Sequence, residues 1–168
     1  DGVPDWWSWL YWAMANVPAG TDFHNGQPFA KDYSNNVPPT VFQFTGIEAT
    51  NHYANNSQPV VQLQVTGYPY YFAVQVDDTN TAAAAWNAYV SSNLTVNLGL
   101  TEGWHDVWVG LRGHGDDPTN AVWQWTRLKL DYTAPSLVIT RPTNGVVSVP
   151  VVQVQGFADE TLASLTLD

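Results

Sequence analysis

The sequence predicts an all-β protein whose main body is an antiparallel β-sandwich. Three features point that way. Several segments of strand length alternate apolar and polar residues with a period of two. Clusters of Gly, Pro, Asn, Asp and Ser separate them, as turns do. No long amphipathic helix interrupts the series. The tract from Pro38 to Tyr132 holds about the 100 residues that such a sandwich needs.

Composition narrows the class further. Hydrophobic residues make up 45% of the 168, enough for a sizeable core, while charged residues reach only 12%, about half the usual share. Five basic residues against fifteen acidic ones give a net charge of −10. That field repels nucleic acid and anionic membrane surfaces, and no basic stripe offsets it. Without cysteine there is no disulfide, thiolate metal site or Cys nucleophile. Few lysines with abundant Thr, Asn and aromatics suit an exported bacterial β-protein, placed extracellularly or at the cell surface. Because the first residue is Asp rather than Met, the numbering is expected to start inside a longer precursor or after a removed leader.

The elements follow in order. The chain opens on DGVPDWWSWLYWAMA. Pro4, Asp5, Ser8 and Asn16 interrupt the apolar run, which is shorter than the roughly 20 residues a membrane span needs. A soluble aromatic helix over 6–16 is expected instead, with Asp5 as N-cap and Pro18 and Gly20 as stop. Trp6, Leu10, Ala13 and Val17 share one face, with Trp7, Tyr11 and Met14 beside it. Residues 19–39, rich in Gly, Asn, Pro and Asp, read as a linker. Strands are then expected at 41–50, 59–66, 70–77, 93–99, 104–113 and 121–132. Val61, Leu63 and Val65 share one face, as do Phe72, Val74 and Val76; Leu94, Val96 and Leu98; and Val107, Val109 and Leu111. Val122, Leu128 and Leu130 face inward on the last of these. The Ala-rich stretch TNTAAAAWNAY is expected to be a short helical turn or a crossover.

Two resemblances add to this reading. Asp1-Gly2-Val3-Pro4-Asp5-Trp6-Trp7 resembles the end of the D-x-D-x-D-G-x-P-D-W-W-E segment of large secreted bacterial proteins, which closes an acidic calcium-binding loop. The resemblance implies Asp1 and Asp5 as calcium ligands, with Val3 giving a carbonyl, whereas Ser8 stands where a late Glu would complete the set. Further on, LDYTAPSLVITRPTNG resembles the junction between tandem Ig-like or fibronectin-III-like modules of bacterial surface and repeat proteins, some of them RHS/YD-associated. Asp131, Thr133 and Pro135 match the D-x-T-x-P pattern, and Pro135 suits a boundary because it ends ladder pairing. The implied organisation is an aromatic helix and linker at 1–38, an Ig-like β-sandwich at 39–132, and the first strands of a second Ig-like module at 133–168. In that last tract, Leu137, Ile139, Val152, Val154, Leu165 and Leu167 are the expected inward residues of three strands. Three strands leave edges that invite further chain or a neighbour.

Chemistry-bearing patterns are sparse. His24, His52, His105 and His114 show no metal-binding spacing. The stretch from His114 to Pro118 reads as a hairpin loop, and Asp77-Asp78 as a turn at a strand end. Serine-nucleophile, phosphate-loop and cofactor fingerprints are absent, and the chain is expected not to be an enzyme. Asn55 and Asn93 fit the glycosylation acceptor pattern. Trp104, Trp108, Trp123 and Trp125 alternate on two strands and should form an aromatic face. It would serve as an interface or a sugar platform, with Trp6 and Trp7 of the opening helix as its expected cover. The expected function is a non-catalytic structural or adhesive module of an exported surface or filament-forming protein. It would assemble through strand edges and aromatic faces with copies of itself or adjacent modules. The alternative is a carbohydrate-binding module of a secreted enzyme or adhesin, with glycans as partners.

Overall fold

The structure, a computed structural model, describes residues 2–21, 26–116, 118–143, 151–162 and 164–166. Strands dominate it, arranged in sheets of three, five and two strands with few helices. Two compact units divide the chain, Asp1–Asp131 and Tyr132–Asp168.

The first unit begins with two short helices, α1 (Asp5–Trp12) and α2 (Phe29–Asn35). Helix α1 ends at Trp12, four residues earlier than the sequence suggests. The reason is local: Ala13 adopts a left-handed conformation (φ 54°) and its N–H closes on the Trp9 carbonyl. Its N-cap is Pro4 rather than Asp5, which is the first helical residue. Helix α2 lies inside the expected linker. Pro28 presets its entry, and Asn36 in the left-handed region ends it. One turn apart on its surface, Phe29 and Tyr33 meet α1. Trp7 stacks on Phe29 at 5.1 Å and meets Tyr33 edge-on at 5.2 Å, while Trp12 meets Phe29 edge-on at 4.2 Å.

Strands β1 (Phe42–Glu48), β3 (Val60–Gly67) and β6 (Asn93–Thr95) form the three-stranded sheet in the order β1-β3-β6. Phe42 and Phe44 point to the core, yet Ile47, of opposite parity, packs against it as well. A bulge between Phe44 and Gly46 resolves the conflict, since one extra residue flips the alternation. At the far end Gly67 (φ +87°) lies against β1, and a Cβ there would sit 2.5 Å from the Val41 carbonyl oxygen. Beyond β6 the backbone pairing continues: the amides of Val96 and Leu98 donate to Pro59 and Ser57, and both side chains are buried.

The five-stranded sheet runs β2-β8-β7-β4-β5, with β2 at Tyr53–Ala54, β4 at Tyr71–Val76, β5 at Asn87–Ala88, β7 at Gly103–Arg112 and β8 at Val122–Leu130. Strand β2 was not apparent in the sequence, and it pairs parallel with β8, so the sheet is not purely antiparallel. The Ala-rich stretch supplies a 3-10 turn at Thr81–Ala83 and then β5. Val107, Val109 and Leu111 of β7 and Leu128 and Leu130 of β8 share one buried cluster with Phe44, Val61 and Leu63 of the three-stranded sheet and with Val96 just beyond β6. The arrangement is therefore sandwich-like, two sheets contributing inner faces to one core. Val122 breaks the expectation: it is exposed at the start of β8.

The second unit contains a two-stranded antiparallel sheet of β9 (Leu137–Arg141) and β10 (Gln155–Ala158). Leu137, Ile139, Val152, Val154 and Leu165, all expected to point inward, are exposed instead, because a two-stranded sheet has no second layer to cover them; four of them, without Val152, line one hollow of about 300 Å³. The described residues of the third expected strand form no strand, and Leu167 lies outside the described residues.

Candidate functional site: an aromatic sheet face

The outer face of the five-stranded sheet is set by parity and register. With Val107, Val109 and Leu111 inward, Trp104, Asp106, Trp108, Gly110 and Arg112 must point outward along β7. On β8 the outward set is Trp123, Trp125, Arg127 and Lys129. Antiparallel pairing places Trp104 opposite Lys129, Asp106 opposite Arg127, Trp108 opposite Trp125 and Gly110 opposite Trp123.

Rings and ion pairs therefore alternate along the face. At one end Trp104 lies 6.0 Å from Tyr53. Arg127 lies over the Trp104 ring at 5.8 Å and Lys129 over Tyr53 at 5.6 Å. Next comes an ion pair from Arg127 Nε to Asp106 Oδ1 at 3.0 Å, and Lys129 Nζ pairs with Asp131 at 2.7 Å. Trp108 and Trp125 then stack with centroids 6.0 Å apart and planes 26° apart. Beyond them Trp123 lies flat over Gly110, where a Cβ would come within 2.7 Å of the indole. Trp86, from the loop ahead of β5, meets Trp123 edge-on at 5.7 Å. The Arg112 guanidinium ends the row, 4.2 Å from Tyr71 and 5.0 Å from Trp86, and donates to the Asp116 carbonyl.

Trp104 and Trp125 stay 51% and 55% exposed, whereas Trp108 and Trp123 are partly covered. The structure thus brings together all four tryptophans singled out in the sequence. It does not place α1 over them. Trp7 is buried against α2, and Trp6 is 61% exposed and meets Tyr33. Helix α1 is held instead by the turn after β7: a ring nitrogen of His114 bonds the Leu10 carbonyl at 2.8 Å, and a Cβ at Gly115 would strike that same oxygen. The expected cover fails because those rings find closer partners in α2, an element invisible in the sequence. Tyr53, Trp86, Tyr71 and Arg112 were also missed, since only strand pairing puts them beside the tryptophans.

The remaining candidates are placed as follows. Asp1, His24 and Asp117 lie outside the described residues, and Asp5 opens α1. Among the described residues, no group of three or more His, Asp or Glu side chains is placed to hold a metal ion. A polar cavity of about 500 Å³, lined in part by Glu48, Thr50, His52, Gln62 and Asn93, lies by the three-stranded sheet, away from the tryptophans. Asp78 caps a tight turn through the Asn80 amide.

Asp77 does more than end β4. Its carboxylate accepts from the Asp106 amide at 2.8 Å and from His105 Nδ1 at 2.7 Å. His105, only 6% exposed, also donates through Nε2 to the Thr101 carbonyl at 2.8 Å. Both ring nitrogens face acceptors, so both bonds exist only in the imidazolium form. Burial pulls the His105 pKa down, but the bonds to Asp77 and Thr101 and the Asp77 charge outweigh it and hold it above the ordinary value. Burial would raise the Asp77 pKa, yet the bonds from His105 and Asp106, with the His105 and Arg127 charges, keep it below the ordinary value.

No protein-family model matches the chain, and no curated protein matches it. Among the described residues, no helix is long and apolar enough to cross a membrane.

Proposed function

We propose that this chain is a non-catalytic Ig-like module of an exported bacterial surface or extracellular protein, working by adhesion through the outer face of its five-stranded sheet. One observation carries the reading. Trp104 and Trp125 remain more than half exposed in a row of rings and ion pairs that the sheet holds in fixed register. Leaving such rings in water is unfavourable, so an extended aromatic patch of this kind marks a contact surface. The face carries its rings on paired strands of one sheet, which suits gripping a surface better than enclosing a small substrate. The Ig-like assignment rests on the sandwich-like pairing of three- and five-stranded sheets and on the D-x-T-x-P pattern at residues 131–135.

The test is a retention assay. The 168-residue chain is immobilised and challenged with bacterial cells, insoluble polysaccharides and soluble copies of itself. A doubly substituted Trp104→Ala/Trp125→Ala chain serves as the comparison. Retention of at least one target by the wild-type chain, lost in the double variant, is expected. Equal behaviour of the two chains toward every target would sink the reading.

A further inference from the structure

We infer that the ligand of the tryptophan face is a neutral polysaccharide strand, stacked on Trp104 and Trp125 and hydrogen-bonded by the Asp106–Arg127 pair between them. This rests on the reading of the face as the contact surface and adds the chemistry of what it holds.

Charge comes first. Unit Asp1–Asp131 contains four basic residues, Lys31, Arg112, Arg127 and Lys129, and three of them lie on this face. Each of the three is engaged within the chain: Arg127 by Asp106, Lys129 by Asp131, and Arg112 by two rings and the Asp116 carbonyl. An acidic polymer would have to break these pairs and approach a chain of net charge −10. A second copy carries that same charge. Protein partners fit poorly for another reason. The centre of a protein interface is depleted of charged residues, whereas here an ion pair occupies the middle of the row. An apolar cover would strip water from Asp106 and Arg127 without replacing it.

A polyol meets each requirement. Its C–H faces lie on indole rings, and its hydroxyls both donate to a carboxylate and accept from a guanidinium. The length of the row favours a chain over a single sugar. Trp104 and Trp108 are four residues apart on β7, about 13 Å at the usual rise per residue, with Trp125 beside Trp108. Tyr53, also exposed, widens the platform at the Trp104 end.

The experiment titrates the full 168-residue chain with soluble neutral polymers (hydroxyethylcellulose, mixed-linkage β-glucan, xyloglucan, glucomannan and dextran). Alginate and polygalacturonate are the acidic comparison, and calorimetry and tryptophan fluorescence are the readouts. At least one neutral polymer should bind, with an affinity that hardly changes between low and high salt. Trp104→Ala and Trp125→Ala should each weaken it about tenfold. Trp125→Tyr should keep part of the affinity, and Trp6→Ala, away from the face, should leave it unchanged. Both face positions are exposed, so the variants fold, and an unchanged thermal midpoint verifies this. Binding confined to the acidic polymers, no binding of any neutral polymer, or wild-type affinity in both alanine variants overturns the inference. If the double variant still loses retention of cells or of its own copies while neutral polymers fail to bind, the contact-surface reading stands and only the ligand class is wrong.

Discussion

Two residues show how single side chains set the behaviour of this sheet. His105 is buried with both ring nitrogens donating, and the Asp77 carboxylate answers one of them. A histidine whose folded pKa lies above its unfolded value contributes stability that is complete below the unfolded value and fades as pH rises through the folded one. Asp77 works the other way, contributing above its unfolded value and losing that contribution as pH falls through its depressed folded one. With ordinary values of 6.5 for His105 and 3.8 for Asp77, urea midpoints should be highest between these limits and decline above the upper one. His105→Gln should abolish the decline, and an identical decline in that variant would refute the assignment. Gly110 is the second residue. Because Trp123 rests on its Cα, Gly110→Ala should push the indole outward and expose it. The check is an increase in acrylamide quenching of tryptophan fluorescence with β-sheet content retained. Neither role was legible in the sequence. His105 looked like one of four scattered histidines, and Gly110 like one more glycine in a strand. Each acquires its meaning from a partner at least 13 residues away.

Among elements, the strands with strict alternation were the readable ones. Val60–Gly67, Gly103–Arg112 and Val122–Leu130 bury one parity almost throughout, and their inward residues follow directly from a period of two. The four-tryptophan face follows from the same rule, needing only the register that pairs Trp108 with Trp125. Where a bulge, a cap or a partner intervenes, local pattern falls short. The bulge of β1 flips parity at Ile47, Ala13 stops α1 early, and α2 owes its packing to α1. The side chains that seat helix α1 on α2 are therefore its inner tryptophans, Trp7 and Trp12. Trp7→Ala empties a site lined by Tyr11, Phe29 and Tyr33, and should cost about 3–5 kcal/mol. Trp6→Ala, at an exposed position, should stay within about 0.5 kcal/mol of wild type. Chemical denaturation of the two variants measures this contrast, and similar losses would mean that the helix is seated differently.

At the scale of the whole molecule, the two units differ in what holds them. Unit Asp1–Asp131 draws its core from two sheets and two helices. Unit Tyr132–Asp168 spans 37 residues, has no cysteine, and carries, among its described residues, one two-stranded sheet whose β9 side chains are all exposed. Chains below about 40 residues rarely fold without disulfides, metals or association, and a two-stranded sheet is marginal in water. A chain ending at Asp131 should therefore keep a cooperative thermal transition, while a peptide of residues 132–168 should show none. A cooperative transition in the peptide would contradict this. The paired indoles also bear on how such transitions are followed. Trp108 with Trp125, and Trp86 with Trp123, bring strongly absorbing chromophores together in fixed, asymmetric orientations. Their electronic transitions mix and split into circular dichroism bands of opposite sign, which overlap the peptide signal in the far ultraviolet. Strand content read from dichroism will be distorted by that couplet, and infrared amide bands are the sounder measure. The split bands become an optical signature of the face, one that Trp125→Ala should reduce to the contribution of Trp86 with Trp123 and that anything settling on the rings should shift.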